Sequence, residues 1–292
     1  MQKNLYIDAS HPEETRIVLK SETNIEEYES ETKNNLNLKS NIYLGKVSRV
    51  EPSLQAAFIN YGRERHGFLA FNDIQSDYYQ IPGEAKEELK KSEEKIREEL
   101  KEENESNEKK SSENVEAGQN LSNNNENNTE SKSQDENNSE KIREKLKNRY
   151  GVRKYKIQEV IKPGQVLLIQ VIKEERGQKG AALTTFISLA GKYIVLMPNT
   201  AKGGGISRKI FNYQDRNKIR EILKDIEIPE NMGLIVRTAG ARKTRNDINN
   251  DLQNTVALWE QIKNNAISST APILIHEEGD VINRALRDIY DN

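Results

Sequence analysis

The chain has 292 residues, of which 34% are hydrophobic and 32% charged, with a formal net charge of -2 and a mean hydropathy of -0.89. The length allows two modest domains, but so few apolar residues cannot form a uniform core, and part of the chain is predicted to stay unfolded. Cysteine is absent, which excludes disulfides and thiolate metal sites, and no stretch has the apolar length of a membrane span; both features favour a cytoplasmic protein.

Residues 41–74 have the pattern of short strands separated by turns. Apolar, β-forming residues cluster at 42–47, 57–61 and 67–69, and a further strand is predicted at 165–173, after a Pro-Gly turn. Short strands at this spacing predict a small Greek-key barrel.

Between these strands lies a long polar segment, residues 84–148. It contains 19 acidic and 13 basic residues, and its centre lacks aromatic residues. Such a composition cannot bury enough apolar surface to offset the entropy of ordering, so we predict a disordered insertion in the barrel. The rest of the chain therefore carries a net charge of +4, which is compatible with a polyanionic partner.

Residues 186–280 alternate between strand and helix patterns. Two short apolar runs, 194–197 and 233–237, predict buried strands. Apolar residues at helical spacing within 219–226 and 248–262 predict two amphipathic helices. This order predicts a small α/β domain, with the uncharged stretch before Lys192 supplying part of its core.

Several stretches together carry a family resemblance: YLGKVSRVEPSLQAAFINYGRERHGFL, GQKGAALTTFISLAGKYIVLMPN, GGISRKI, GLIVRTAG and RALRD. In this order they resemble the bacterial ribonuclease E and ribonuclease G family. The resemblance covers most of the chain outside the polar segment.

The resemblance implies an α+β fold with four parts. Residues 1–38 would form the first part of an RNase H-like subdomain, and residues 39–185 a five-stranded OB-fold RNA-binding barrel of the ribosomal S-one type, with the disordered insertion at 84–148. Residues 186–281 would form a small α/β 5′-sensor domain. Residues 282–292 would begin a second, truncated RNase H-like segment, so the chain is expected to be the N-terminal part of a longer ribonuclease.

Phe58 and Phe68 fall on neighbouring predicted strands. The pattern alone favours two core side chains, but in the resembled family the matching positions, and the one matching Lys179, contact single-stranded RNA. Exposed aromatic rings stack on unpaired bases with about 1–3 kcal/mol per base. Nearby basic residues could contact phosphates or remain solvated surface charges; these are Arg49, Arg63 and Arg65.

Arg237 and Thr238 directly follow a predicted buried strand. A guanidinium fork and a hydroxyl suit a phosphate, although an arginine paired with a carboxylate at a strand end would give the same pattern. The resemblance implies that both residues recognise a 5′-terminal monophosphate and that Gly191 and Val195 line the pocket.

Arg208 is a further candidate for this phosphate site. It follows a run of three glycines, Gly203–Gly205, and a glycine turn that opens a helix would expose backbone N–H groups to an anion. A flexible turn with a serine helix cap explains the same residues.

The resemblance implies single-stranded RNA binding and 5′-monophosphate sensing, as part of a magnesium-dependent endoribonuclease of RNA processing and mRNA decay. We expect no catalytic residue, cofactor or metal site within residues 1–292, magnesium and zinc being held by the absent C-terminal part, and no cleavage by this chain alone. HEEGD, residues 276–280, is interpreted as a turn. The full-length protein could be a homo-oligomer. The alternative is a stand-alone, non-catalytic RNA-binding protein.

Overall fold

The computed structural model describes residues 3–32, 38–83, 86–87, 91, 155–177, 179–199, 205–229 and 232–289. The chain divides into two compact units: Met1–Ile74 with Pro163–Asn292, and Gln75–Lys162. The predicted insertion at 84–148 lies outside the described residues, apart from Lys86, Glu87 and Lys91. Its disorder therefore stays a prediction.

The first unit begins with an antiparallel meander of three strands in the order β1–β2–β3. Its strands are β1 (Asn4–His11), β2 (Glu14–Lys20) and β3 (Ile25–Thr32). Most of its side chains are exposed, and Ile17 is the buried residue at its centre. One face of the meander therefore needs a covering element.

Five further strands of this unit close into a barrel in the order β4–β5–β6–β8–β7, with β7 pairing back onto β4. Their bounds are β4 (Ile42–Glu51), β5 (Ala56–Asn60), β6 (Gly67–Ala70), β7 (Val166–Lys173) and β8 (Ala182–Thr184). Every pairing is antiparallel except that of β6 with β8. The closed barrel and the mixed α+β class confirm the sequence prediction, and the barrel fits an OB fold.

Alternation along the barrel strands separates an inner and an outer face. The inner side chains are almost completely buried: Val47, Ala57, Ile59, Leu69, Leu167, Ile169, Val171 and Leu183. Because successive strand residues point to opposite faces, the residues between them point outward. The barrel core thus fixes which aromatic side chains remain accessible.

A four-stranded sheet follows the barrel, in the order β11–β12–β10–β9. Its strands are β9 (Leu189–Ala190), β10 (Ile194–Met197), β11 (Gly205–Ile206) and β12 (Gly233–Val236). The helices of this region are α2 (Tyr213–Asp225) and α3 (Arg245–Ser268), and a short helix α1 (Ile157–Val160) belongs to the second unit. The predicted strands and both amphipathic helices are confirmed.

Capping residues explain where the two longer helices begin. The Asn212 side chain accepts a hydrogen bond from the backbone N–H of Gln214 at the start of α2. Thr244 and Asp247 form a reciprocal capping box at the start of α3. Both helices pack on the four-stranded sheet through their apolar stripes.

Two C-terminal elements return to earlier parts of the unit. Strand β13 (Ile273–His276) pairs antiparallel with β4 and extends the barrel sheet. Helix α4 (Val281–Asp288) packs Val281 and Ala285 against Ile17 of the meander. Within the described residues, no helix is both long and apolar enough to cross a membrane. The predicted domain boundaries stay predictions.

Candidate nucleic-acid interface

The structure places Phe58 and Phe68 on the outer face of the barrel. They are direct cross-strand partners on β5 and β6, and both are half-buried. Their ring centroids are 6.0 Å apart with an interplanar angle of 75°, the edge-to-face arrangement that aromatic pairs prefer. The Arg49 guanidinium lies 4.4 Å from the centroid of the Phe58 ring. A partly exposed aromatic pair with an adjacent cation thus lies on this face.

Lys179 lies at the same end of the barrel as the start of β6. It is exposed and pairs with Arg176, each backbone N–H donating to the other residue's carbonyl, at 3.0 and 3.1 Å. The following residue must be glycine, because a Cβ on Gly180 would overlap the carbonyl oxygen of His66. This close approach fixes Lys179 beside the first residue of β6. Arg63 and Arg65 are exposed in the loop between β5 and β6.

The predicted phosphate-site residues converge at one end of the four-stranded sheet. Gly191 lies in the turn between β9 and β10, and Arg237 follows β12, where its backbone N–H donates to the carbonyl of Tyr193 at 2.8 Å. Val195 pairs with Ile235, two residues before Arg237, and therefore shares its face of the sheet.

The remaining two candidates reach this end as well. Thr238 is exposed and follows Arg237 directly. Strand β11 runs parallel to β12, and the Ser207 backbone N–H donates to the carbonyl of Val236 at 2.9 Å. Arg208, the next residue, is exposed beside them. Gly205 belongs to β11, so the described part of the glycine run leads into a strand and not into a helix.

Arg237 is held on one side only. Its Nη1 group donates to the carbonyl of Gly191 at 2.8 Å and to Oδ1 of Asp288 at 2.6 Å. Among the described residues, its Nε and Nη2 groups have no hydrogen-bond partner. The strand-end ion pair allowed by the sequence is therefore present, and it leaves one edge of the guanidinium available for a bidentate contact.

Asp288 links Arg237 to a second arginine. Arg287 donates from Nε and Nη2 to the two oxygens of Asp288, at 3.0 and 2.9 Å, and also pairs with Glu278. Burial acts to raise the pKa of Asp288, but the hydrogen bonds from Arg287 and Arg237 outweigh it and leave the pKa below its ordinary value. Asp288 is thus held as a carboxylate that anchors Arg237.

The turn that carries Gly191 is itself fixed by a carboxylate. Asp251 of α3 accepts hydrogen bonds from the backbone N–H groups of Lys192, Tyr193 and Ile194, at 3.2, 2.8 and 3.1 Å. A Cβ at Gly191 would lie 2.6 Å from this carboxylate, so the close approach requires glycine. The carbonyl that receives Arg237 is therefore rigidly placed.

Sequence reasoning missed both of these supporting carboxylates. Asp251 has a weak signal, a polar residue on the otherwise apolar face of a predicted helix. Asp288 has none, because its partner Arg237 lies 51 positions away in sequence. Within residues 276–280, Glu278 forms an ion pair with Arg287, and the side chain of Asp280 caps the start of α4. Within the described residues, no group of three or more His, Cys, Asp or Glu side chains is placed to hold a metal ion.

Comparison with known proteins supplies the family. The model of the ribonuclease E/G family matches residues 188–292. Ribonuclease E of Escherichia coli (strain K12) is 37% identical over 286 residues, which is 98% of this chain and 21% of the relative. The chain belongs to the ribonuclease E/G family.

Other members of the ribonuclease E/G family match to different extents. Ribonuclease E of Haemophilus influenzae is 35% identical over 286 residues, covering 98% of this chain and 23% of the relative. Ribonuclease E of Synechocystis is 39% identical over 136 residues, covering 47% of this chain and 20% of the relative. The chain therefore spans about a fifth to a quarter of these relatives.

Proposed function

We propose that this chain binds single-stranded RNA on the outer face of its barrel and holds a 5′-terminal monophosphate at Arg237. In this proposal residues 39–185 are an OB-fold RNA-binding domain and residues 186–281 a 5′-sensor domain. The meander and α4 form a split RNase H-like subdomain. The longer protein is a magnesium-dependent endoribonuclease acting in RNA processing and mRNA decay.

The barrel face supports the RNA-binding part. Base stacking needs an exposed aromatic ring, and phosphate contacts need nearby cations. Phe58 and Phe68 provide two adjacent rings, Arg49 lies over one of them, and Lys179 lies at the start of β6. The barrel strands hold Phe58, Phe68 and Arg49 in fixed backbone register, so the protein backbone needs little rearrangement when an RNA strand binds.

The geometry of Arg237 carries the end-sensing part. Gly191 and Asp288 hold its Nη1 group, and its Nε and Nη2 groups have no hydrogen-bond partner among the described residues. A terminal monophosphate has the acceptor geometry for this edge, and Thr238 adds a hydroxyl group next to it. A 5′-hydroxyl offers neither the charge nor the acceptors.

We assign RNA binding, and no catalytic step, to residues 1–292. The relatives are named ribonuclease E, and their activity is the basis for the enzyme class proposed here. Magnesium and zinc sites are assigned to other parts of the longer protein.

The test compares two RNAs of one sequence, one with a 5′-monophosphate and one with a 5′-hydroxyl, titrated against the chain by fluorescence anisotropy. Wild type should prefer the monophosphate by roughly 1–3 kcal/mol. Arg237→Ala and Thr238→Val should remove this preference and leave the affinity for the hydroxyl RNA unchanged. Phe58→Ala and Phe68→Ala should each weaken the binding of both RNAs equally, by about 1–3 kcal/mol.

Two control variants separate specific from general effects. Lys263→Ala removes an exposed charge on α3 and should change neither affinity. Ile267→Ala removes an exposed apolar side chain from α3, outside the barrel, and should also be neutral. If Arg237→Ala discriminates like wild type, the end-sensing assignment fails and Arg208 becomes the candidate. If the two Phe variants stay folded by circular dichroism and bind like wild type, RNA does not bind on this face.

A further inference from the structure

Phe211 is an exposed aromatic residue that the proposed sites do not use. Its side chain is 90% exposed, more than any other large hydrophobic side chain among the described residues. Tyr213, two positions later, is 55% exposed. A phenyl ring with this exposure is accessible to a stacking partner.

A rigid turn presents the Phe211 ring. The preceding residue, Ile210, is buried, and the guanidinium of Arg216 donates to the carbonyls of Ser207 and Ile210, each at 3.3 Å. The following residue, Asn212, caps α2. Both neighbours of Phe211 are thus fixed, and its exposure is a property of the fold.

The turn lies at the end of the sheet where Arg237 is found. Ser207 donates its backbone N–H to Val236, the residue before Arg237, at 2.9 Å. Phe211 follows Ser207 by four residues. An RNA strand whose 5′ phosphate binds Arg237 therefore begins at the end of the sheet from which the turn carrying Phe211 leaves.

The surroundings of Phe211 favour a nucleic acid over a protein partner. From Ser207 to Lys218 the chain has four basic residues and one acidic residue, and both Arg208 and Lys209 are exposed. Asn212 and Gln214, also exposed, interrupt the apolar surface. The core of a protein interface is depleted of charged residues, whereas stacking needs one accessible ring beside cations that contact phosphates.

We propose that Phe211 is a stacking platform for an unpaired base of the RNA strand whose 5′ end lies at Arg237. The site takes single-stranded nucleic acid, with Arg208 and Lys209 contacting its phosphates. This inference rests on the proposed function and adds a base contact beside the phosphate site. It extends recognition from the terminal phosphate to the nucleotides that follow it.

The experiment measures binding of 5′-monophosphate and 5′-hydroxyl RNAs to the whole chain. Phe211→Ala and Phe211→Leu should each raise the dissociation constants of both RNAs roughly fivefold to a hundredfold, the range expected for loss of one stacked base. Phe211→Tyr, the matched control, keeps an aromatic face and should bind like wild type. Neither the Ala nor the Leu variant should alter the preference for a monophosphate, which depends on Arg237.

An RNA series with one abasic site per molecule identifies the stacked base. For one position in the series, wild type and Phe211→Ala should bind with equal affinity, because the ring then has no base to contact. Lys209→Ala should reduce the dependence of affinity on salt concentration, while Phe211→Ala should not, since it removes no charge.

Distinct results overturn the inference. If Phe211→Leu binds like wild type while Phe211→Ala is weakened, the contact is a general apolar one and not stacking. If both bind like wild type, the site is wrong but the proposed function stands. If wild type binds neither RNA, both fail. A wild-type dimer that Phe211→Ala converts to monomer would show that a second copy covers the ring.

Discussion

Asp288 ends helix α4, where a negative charge opposes the helix dipole. Local helix energetics therefore do not favour an acidic residue at this position, and its partners account for it. Its two oxygens accept hydrogen bonds from Arg237 and Arg287, at 2.6 to 3.0 Å. We interpret Asp288 as a positioning residue, which holds the guanidinium of Arg237 in the orientation that a phosphate requires.

Substituting Asp288 tests this role. Asp288→Ala removes the anchor and should lower the monophosphate preference by about 1 kcal/mol, because Arg237 regains side-chain freedom. Asp288→Asn keeps an acceptor for Nη1 and should retain most of the preference. The measurement is the ratio of the two dissociation constants, since a merely structural loss would weaken both RNAs alike. A stronger preference in Asp288→Ala would mean instead that the carboxylate competes with the phosphate.

At the scale of secondary-structure elements, the sequence predicts the strands and helices whose apolar pattern lies within the element itself. The runs at 194–197 and 233–237 are short and bounded by turn residues; the first forms β10, and the second forms β12 as far as Val236, with Arg237 directly after it. The pairing of β13 with β4 could not be predicted, because it joins Ile273 to Leu44 across more than two hundred residues. The short apolar run at 273–275 also has no pattern of its own that distinguishes a paired strand from a surface strand or a loop.

The candidate site also has a part that was proposed from the sequence and a part that could not be. The family resemblance proposes Phe58, Phe68 and Arg237 as site residues, whereas the pattern alone favours two core side chains and an ion-paired arginine. The contacts that support them depend on tertiary structure: the carboxylates of Asp251 and Asp288 come from two different helices. A helix pattern reports which face is buried, but not which distant backbone group a polar side chain will reach.

The residues that flank the polar segment allow a prediction for the second unit. The Gln80 backbone N–H donates to the carbonyl of Val160 at 2.9 Å, so the chain returns close to its point of departure. Replacing residues 94–140 with a short Gly/Ser linker should leave the melting temperature nearly unchanged, because closing a shorter loop costs slightly less entropy. The measurement is thermal unfolding by circular dichroism. Loss of cooperative melting would show that the segment packs on the folded part.

At the scale of the whole molecule, the free energy of unfolding should depend on pH, because the half-buried side chain of His276 is titratable. Its strand, β13, pairs with the barrel strand β4, packs against α3 and leads into the turn before α4. Burial lowers the pKa of His276, although the nearby carboxylates of Glu278 and Glu277 act to raise it. The native state therefore favours the neutral imidazole.

The sign of the pH effect follows from this lowered pKa. Below its ordinary pKa of about 6.5, the imidazole binds a proton more readily in the unfolded chain than in the native one. The free energy of unfolding should therefore be highest above this pH and fall as the solution is acidified through it, with His276→Phe showing a flatter profile between pH 7.5 and 5.5. Urea unfolding at a series of pH values measures both. Equal slopes for the variant and wild type would exclude His276 as the source, and the loss on acidification would then belong to the carboxylates with lowered pKa values, such as Asp288, which protonate in a more acidic range.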